Sequence, residues 1–192
     1  MRESSIDLMV LINDILDIAK IEAGRLEIVY SPVNLNSIIS DIKQIFSIQT
    51  AQKKLKFEVT IDDNLPRSMF LDELRLRQVL FNVIGNAVKF TEKGGVDVNV
   101  RGFLKDANHI DLLFEITDTG IGISKSDMDT IFEPFKQQQE QGSGGFGLGL
   151  SIARRLVEMM KGKITFQSQK GKGSKFTIAI SDIAIASVRS EK

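Results

Sequence analysis

The stretch Gly142-Ser-Gly-Gly-Phe-Gly-Leu-Gly149 holds five glycines in eight residues and runs directly into Leu150, Ile152, Ala153, Leu156, Val157 and Met160 at helical spacing. A glycine-rich loop that empties into an amphipathic helix is a phosphate-binding device. Backbone N–H groups close around oxygen atoms, and the helix N-terminus adds partial positive charge. A surface linker would not lead straight into such a helix. Two common glycine loops are excluded. A P-loop ends in Gly-Lys-Ser/Thr, whereas Gly149 is followed by Leu150. Gly142 to Gly147 matches GxGxxG, but it follows the polar run Lys136 to Gln141 in place of a strand, and Gln167 stands where a dinucleotide site needs an acid.

Composition narrows the remaining classes. The 192 residues suit one domain of ordinary core size plus an appendage. Twenty-five basic residues balance 25 acidic ones, so no overall field favours nucleic acid or a membrane surface. Cysteine is absent, which removes disulfides and thiolate chemistry and fits a cytoplasmic setting for this portion. The longest apolar run, Leu8 to Ile12, is too short to span a bilayer. The opening residues already stand inside a helical pattern, which predicts a piece of a longer chain.

Residues 4–23 are predicted to form one helix closed by Gly24. Leu8, Leu11, Ile15 and Ile18 form one apolar seam, and Met9, Ile12, Leu16 and Ala19 form a second beside it. Two seams make the wide face that a helical bundle needs, though such a face can also dock on its own core. Downstream the pattern predicts a strand at 26–30 broken by Pro32, a helix from Asn34 to about Thr50, and a strand at 55–61. A helix over 73–90 capped by Asp72, strands at 96–103 and 110–117, and a short helix at 125–131 follow. After the glycine loop and its helix come a hairpin of strands at 164–167 and 175–180 and a tail from 182. This order predicts an α+β, two-layer sandwich of a mixed, mainly antiparallel sheet against helices, preceded by one bundle helix. The implied division is 1–24, 25–181 and 182–192.

Three constellations carry chemistry. Asn82 and Asn86 are four residues apart on the 73–90 helix, with Lys89 and Phe90 following. Two amides and a lysine beside Val79, Val83 and Val88 form either a solvated polar face or a site, and an amide oxygen is a ligand suited to Mg²⁺. Asp118-Thr-Gly120-Ile-Gly122-Ile123 follows a strand; it reads as a turn or as a carboxylate that accepts from an adenine amino group. Phe132-Glu-Pro-Phe135 precedes the glycine loop as core or as an aromatic clasp at the loop's base.

In this order the three elements resemble the catalytic ATP-binding domain of sensor histidine kinases. NVIGNAVKFT is similar to the family's N box, DTGIGI to its first glycine box, FEPF to its F box and GGFGLGLSIA to its second glycine box; Phe146 departs from the usual small residue there. The resemblance covers residues 3–180, and Leu11 to Leu26 is similar to the second helix of the family's dimerisation domain and its exit. It implies ATP and Mg²⁺ as cofactors. Asn86 would ligate Mg²⁺, with Asn82 supporting it or the phosphates, and Lys89 would contact phosphate. Asp118 would read the adenine, Gly120 and Gly122 would shape the base pocket, and Gly145, Gly147, Gly149 and Leu150 would line the phosphates. It also implies a response regulator or receiver domain as partner, and a homodimer through the first helix in the full-length protein. No nucleic-acid partner is expected, and membrane anchorage of the full-length protein is left open.

The same fold serves ATP-hydrolysing machines whose general base is a glutamate four residues before the metal-binding Asn. Asn82 occupies that place, and an amide is no base at neutral pH. Hydrolysis is therefore the weaker alternative, as is a non-catalytic interaction module. The sole histidine, His109, lies in Asp106-Ala-Asn-His-Ile-Asp111, reads as a solvated turn residue and does not match a phosphoacceptor, so the acceptor is expected outside this sequence.

Overall fold

The computed structural model describes residues 2–136 and 147–186, with side chains of the first helix from Leu11 onward. Helix α1, Arg2–Glu22, ends in a Schellman motif. Gly24 takes φ +63°, its N–H reaches Ile21 O at 3.0 Å, and Arg25 N–H reaches Lys20 O at 2.8 Å. Then follow β1 (Ser31–Val33), α2 (Leu35–Gln52), β2 (Lys56–Ile61), β3 (Met69–Leu71), α3 (Glu73–Phe90), β4 (Gly95–Leu104) and β5 (His109–Asp118). The chain closes with α4 (Gly149–Met159), β6 (Gly162–Gln169) and β7 (Gly173–Ala184).

The main sheet has the order β2-β4-β5-β7-β6; β2 and β4 are parallel and the other neighbours antiparallel. The expected mixed, mainly antiparallel sheet is therefore present. Alternation sends Val96, Val98 and Val100 of β4 and Ile110, Leu112, Phe114 and Ile116 of β5 to one face, all buried. Against them pack Ile38, Ile39 and Ile42 of α2, Leu76, Leu80, Val83 and Ile84 of α3, and Ile152, Leu156 and Val157 of α4. The other sheet face carries Glu115 between Arg101 and Lys175, which hold its carboxyl below the usual range chiefly through the Lys175 hydrogen bond. The result is two layers, helices on one side of one sheet.

Three expectations need correction. Residues 26–30 form no strand. The backbone there runs extended until Ser31, where β1 pairs with β3, and Pro32 lies inside that strand. A three-residue edge strand tolerates proline because it needs few ladder donors. Residues 125–131 form successive turns in place of a helix. Asp127, Thr130 and Glu133 N–H groups bond carbonyls three residues back, and the Ser124 hydroxyl competes locally by bonding Asp127 Oδ2 at 2.7 Å. The segment from 182 is no tail at its start: β7 runs to Ala184, Ile185 bridges Met69, and Ala186 N–H reaches Ser68 O.

Helix α1 splits its apolar face. Leu11, Ile18 and Ile21 pack on the domain, while Ile12, Ile15 and Leu16 stay exposed. A polar clasp fixes the docking: Asp17 Oδ2 accepts from Gln78 Nε2 at 2.8 Å and from Arg75 at 3.2 Å. The linker after α1 is tied to the same place. Asp72 accepts Arg75 N–H as the N-cap of α3 and Val29 N–H at 2.8 Å with its other oxygen.

Candidate functional site

Helix α3 forms where the spacing predicts it, and it sets the pitch of the site. Asn82, Asn86 and Lys89 share one face at i, i+4 and i+7, while Val79, Val83 and Val88 turn into the core. Asn82 Nδ2 is buried and has no hydrogen-bond partner among the described residues. Such a donor is costly to leave unmade, so the position suits an acceptor brought by a ligand. Gly149 lies against this amide: a methyl group there would stand 3.3 Å from both Asn82 Cγ and Oδ1. The glycine segment and the asparagine helix, whose contacting residues Gly149 and Asn82 are 67 positions apart in sequence, thus meet in space.

Gly149 opens α4, and that opening has no side-chain cap. The first internal bond is Ile152 N–H to Leu148 O, which leaves the N–H groups of Gly149, Leu150 and Ser151 without a helical partner. The Ser151 hydroxyl turns back to Leu148 O at 2.7 Å instead of capping. Just before, Gly147 at φ +71° closes a neck: Phe135 N–H bonds Gly147 O at 3.0 Å, and any Cβ on Gly147 would stand 2.6 Å from Lys136 O. Gly145 and Phe146 lie outside the described residues.

Asp118 ends β5 and is almost fully buried. Burial raises its pKa, and hydrogen bonds from the Gly120 and Ser174 N–H groups partly oppose the rise. The Asp118–Ile123 loop is clamped on both flanks. Ile121 N–H bonds Phe90 O at the end of α3, and Gly171 N–H bonds Ile121 O at 2.7 Å from the β6–β7 turn. Gly120 and Gly122 are needed for this close approach: a Cβ would meet Phe90 O at 2.4 Å and Gln169 O at 2.1 Å respectively. Lys89 Nζ sits 5.0 Å from the Phe90 ring centre, and burial lowers its pKa.

The aromatic clasp is half present. Phe132 packs edge-on to Phe166 at 5.8 Å, with Arg154 5.3 Å from its ring centre, but the Phe135 ring is exposed and only its backbone holds the neck. His109 is the first residue of β5, its Nδ1 3.1 Å from Asp106 Oδ1. That places it at the opposite end of a ten-residue strand from Asp118, roughly 30 Å away along the strand. Sequence reasoning missed Ser168, whose hydroxyl accepts Ile123 N–H at 2.8 Å, and Ser174, because both reach the site from strands far along the chain.

The family model for histidine kinase-, DNA gyrase B- and HSP90-like ATPases matches residues 71–183, which span α3, the Asp118 loop, the glycine segment and the last hairpin. The chain belongs to this family. It is 38% identical over 187 residues to the aerobic respiration control sensor protein ArcB of Escherichia coli (strain K12), covering 95% of this chain and 24% of that protein. It is 37% identical over 176 residues to the signal transduction histidine-protein kinase BarA of the same organism, covering 90% and 19%. The chain thus spans about a quarter or less of the curated relatives it matches. Full-length ShkA in complex with AMPPNP superposes with a TM-score of 0.82 at 33% identity, over 97% of this chain and 38% of that one. Within the family, this is an ATP-binding domain of the kind that sensor histidine kinases carry. Among the described residues no helix is long and apolar enough to cross a membrane.

Proposed function

We propose that this chain binds ATP with Mg²⁺ and presents the γ-phosphoryl group to a histidine that lies outside it. The observation that carries this reading is Asn82, whose buried amide nitrogen has no partner among the described residues and whose side chain lies against Gly149 at the uncapped start of α4. A donor without an acceptor, next to N–H groups that have no helical partner at a helix N-terminus, fits phosphate oxygens. Asp118 accepts the adenine amino group, Lys89 meets phosphate, and the backbone from Gly147 through Gly149 to Leu150 lines the phosphates. Asn86 offers its amide oxygen to Mg²⁺. A single amide oxygen suits an ion that keeps water and phosphate oxygens as its other ligands. When bound, that ion neutralises charge on the transferring group.

In the transfer, a histidine ring nitrogen attacks the γ-phosphorus, the bond to the β–γ bridging oxygen breaks, ADP leaves and the ring releases a proton. The domain's part is positioning and charge stabilisation. The exposed Ile12, Ile15 and Leu16 of α1 support a homodimer through that helix in the full-length protein, and a response regulator or receiver domain receives the phosphoryl group. Hydrolysis by the isolated chain is expected to be negligible, because Asn82 offers no base where the hydrolases carry glutamate.

Calorimetric titration with Mg-AMPPNP tests the reading. Asp118→Asn and Asn86→Ala are each expected to weaken binding by about tenfold or more. Unchanged affinity in both variants sinks it, and a robust ATP hydrolysis rate in the purified chain favours the conformational ATPase.

A further inference from the structure

Helix α3 ends abruptly. Its C-cap, Thr91, is extended at φ −102° and ψ 120°, so no left-handed residue folds the chain back to satisfy the last carbonyls. Each is nevertheless satisfied. Ala87 O accepts the Thr91 hydroxyl at 2.7 Å, and Phe90 O accepts Ile121 N–H at 3.2 Å. Val88 O and Lys89 O both accept from Lys53 Nζ, at 2.7 and 3.0 Å, and Thr91 O lies 3.4 Å from the same ammonium. Lys53 belongs to another helix. It is the C-cap residue of α2, and the Schellman motif there holds its backbone firmly: Lys54 N–H reaches Ala51 O at 3.1 Å and Leu55 N–H reaches Thr50 O at 2.9 Å. One cation thus ties the ends of two helices together, and it faces the partial negative charge of the α3 terminus.

We infer that Lys53 is a positioning residue for the phosphate side of the nucleotide site: by binding the carbonyls of Val88, Lys89 and Thr91 it fixes the last turn of α3, and with it the course of the Lys89 side chain. The inference rests on the nucleotide reading above. Lys53 makes no bond to Phe90 O, so the adenine side keeps its own supports, Ile121 N–H on Phe90 O and Gly171 N–H on Ile121 O. Removing the ammonium therefore loosens the lysine-bearing turn and leaves the Asp118 loop clamped.

Two titrations of the whole chain separate these effects, one with Mg-AMPPNP and one with adenosine, which lacks phosphates. Lys53→Met is expected to weaken Mg-AMPPNP by about tenfold while adenosine changes by less than about twofold, and Lys53→Arg restores most of the loss. In a Lys89→Met background Lys53→Met costs nothing further, because the two act through one turn. Lys53→Gln is read in the same way should Lys53→Met fail to fold. Equal losses for both ligands, or additive losses in the double variant, overturn the inference. Unchanged Mg-AMPPNP affinity in Lys53→Met overturns it alone if Asp118→Asn still weakens adenosine; unchanged affinity in both variants overturns the nucleotide reading with it.

Discussion

The C-terminus of α3 and the N-terminus of α4 are treated in opposite ways. At the first, each terminal carbonyl has a protein partner: Thr91, Lys53 and Ile121 supply the donors. At the second, the N-cap residue is Leu148, no side chain caps the turn, and the amide nitrogen of Asn82, whose side chain lies against Gly149, has no partner among the described residues. A helix end completed by protein is scaffold, whereas one left incomplete beside a buried donor is prepared for something that arrives. The difference also sorts the glycines. Those of the Asp118 loop sit against backbone carbonyls at distances no Cβ can occupy, whereas Gly149 sits against a side chain that can give.

The largest effect should appear on the completed side. Gly122→Ala places a methyl group 2.1 Å from Gln169 O at a φ of +65°, and it is expected to cost more than about 3 kcal/mol and to abolish a cooperative thermal transition. Gly149→Ala meets Asn82 only at 3.3 Å and should cost less than about 1 kcal/mol while weakening Mg-AMPPNP. Equal destabilisation by both would break the distinction between scaffold and prepared end.

Asp118→Asn comes next, with an expected loss of about ten- to a hundredfold in adenosine affinity, the scale of one hydrogen bond to a charged group. Its pH dependence has a defined sign. Burial raises the carboxyl pKa in the unliganded fold, so the fold's stability is favoured when Asp118 is protonated, and that advantage is lost as pH rises through the raised value. Adenine needs the ionised acceptor. Affinity should therefore be full above the raised pKa and fall as pH drops through it, and Asp118→Asn should flatten that profile. Asn82→Ala should cost about tenfold in Mg-AMPPNP affinity yet leave the unliganded Tm equal or higher, because the deleted nitrogen has no partner among the described residues. A Tm drop with unchanged affinity would make Asn82 scaffold.

Much of this was legible in sequence, and the boundary has a physical reason. Helix α3 and its Asp72 cap, the β4–β5 pair and the glycine-led α4 each announce themselves through periodicity or capping within one segment. The candidate residues Asn82 and Asn86 stand out as amides at i and i+4, though the roles proposed for them come only from the resemblance to the kinases. What stayed hidden is held by contacts distant in sequence. Lys53 lies 35 residues from Val88, and Val29 lies 43 from the Asp72 carboxylate that takes its N–H within the 26–30 segment. The turns at 125–131 were misread because hydroxyl-to-carboxylate bonding around Ser124 outweighs a weak helical pattern.

The smallest effect concerns two further helix exits that share one motif and differ in one residue. Both α1 and α2 close with Schellman bonds around a left-handed residue, Gly24 at φ +63° in the first and Lys54 at φ +59° in the second. Glycine adopts that conformation without cost, whereas a side chain carries a penalty of about 1 kcal/mol. No atom lies within 4 Å of a Cβ built on Gly24, so Gly24→Ala should lose stability through backbone conformation alone. Lys54→Gly should gain about as much, offset in part by the extra freedom of glycine in the unfolded chain. Because the Schellman bonds of α2 hold Lys53 in place, Lys54→Gly should leave Mg-AMPPNP affinity unchanged while raising Tm by a few degrees. A fall in affinity would mean that Lys54, and not the motif, sets where the Lys53 ammonium stands, and the completed end of α3 would then rest on a strained residue.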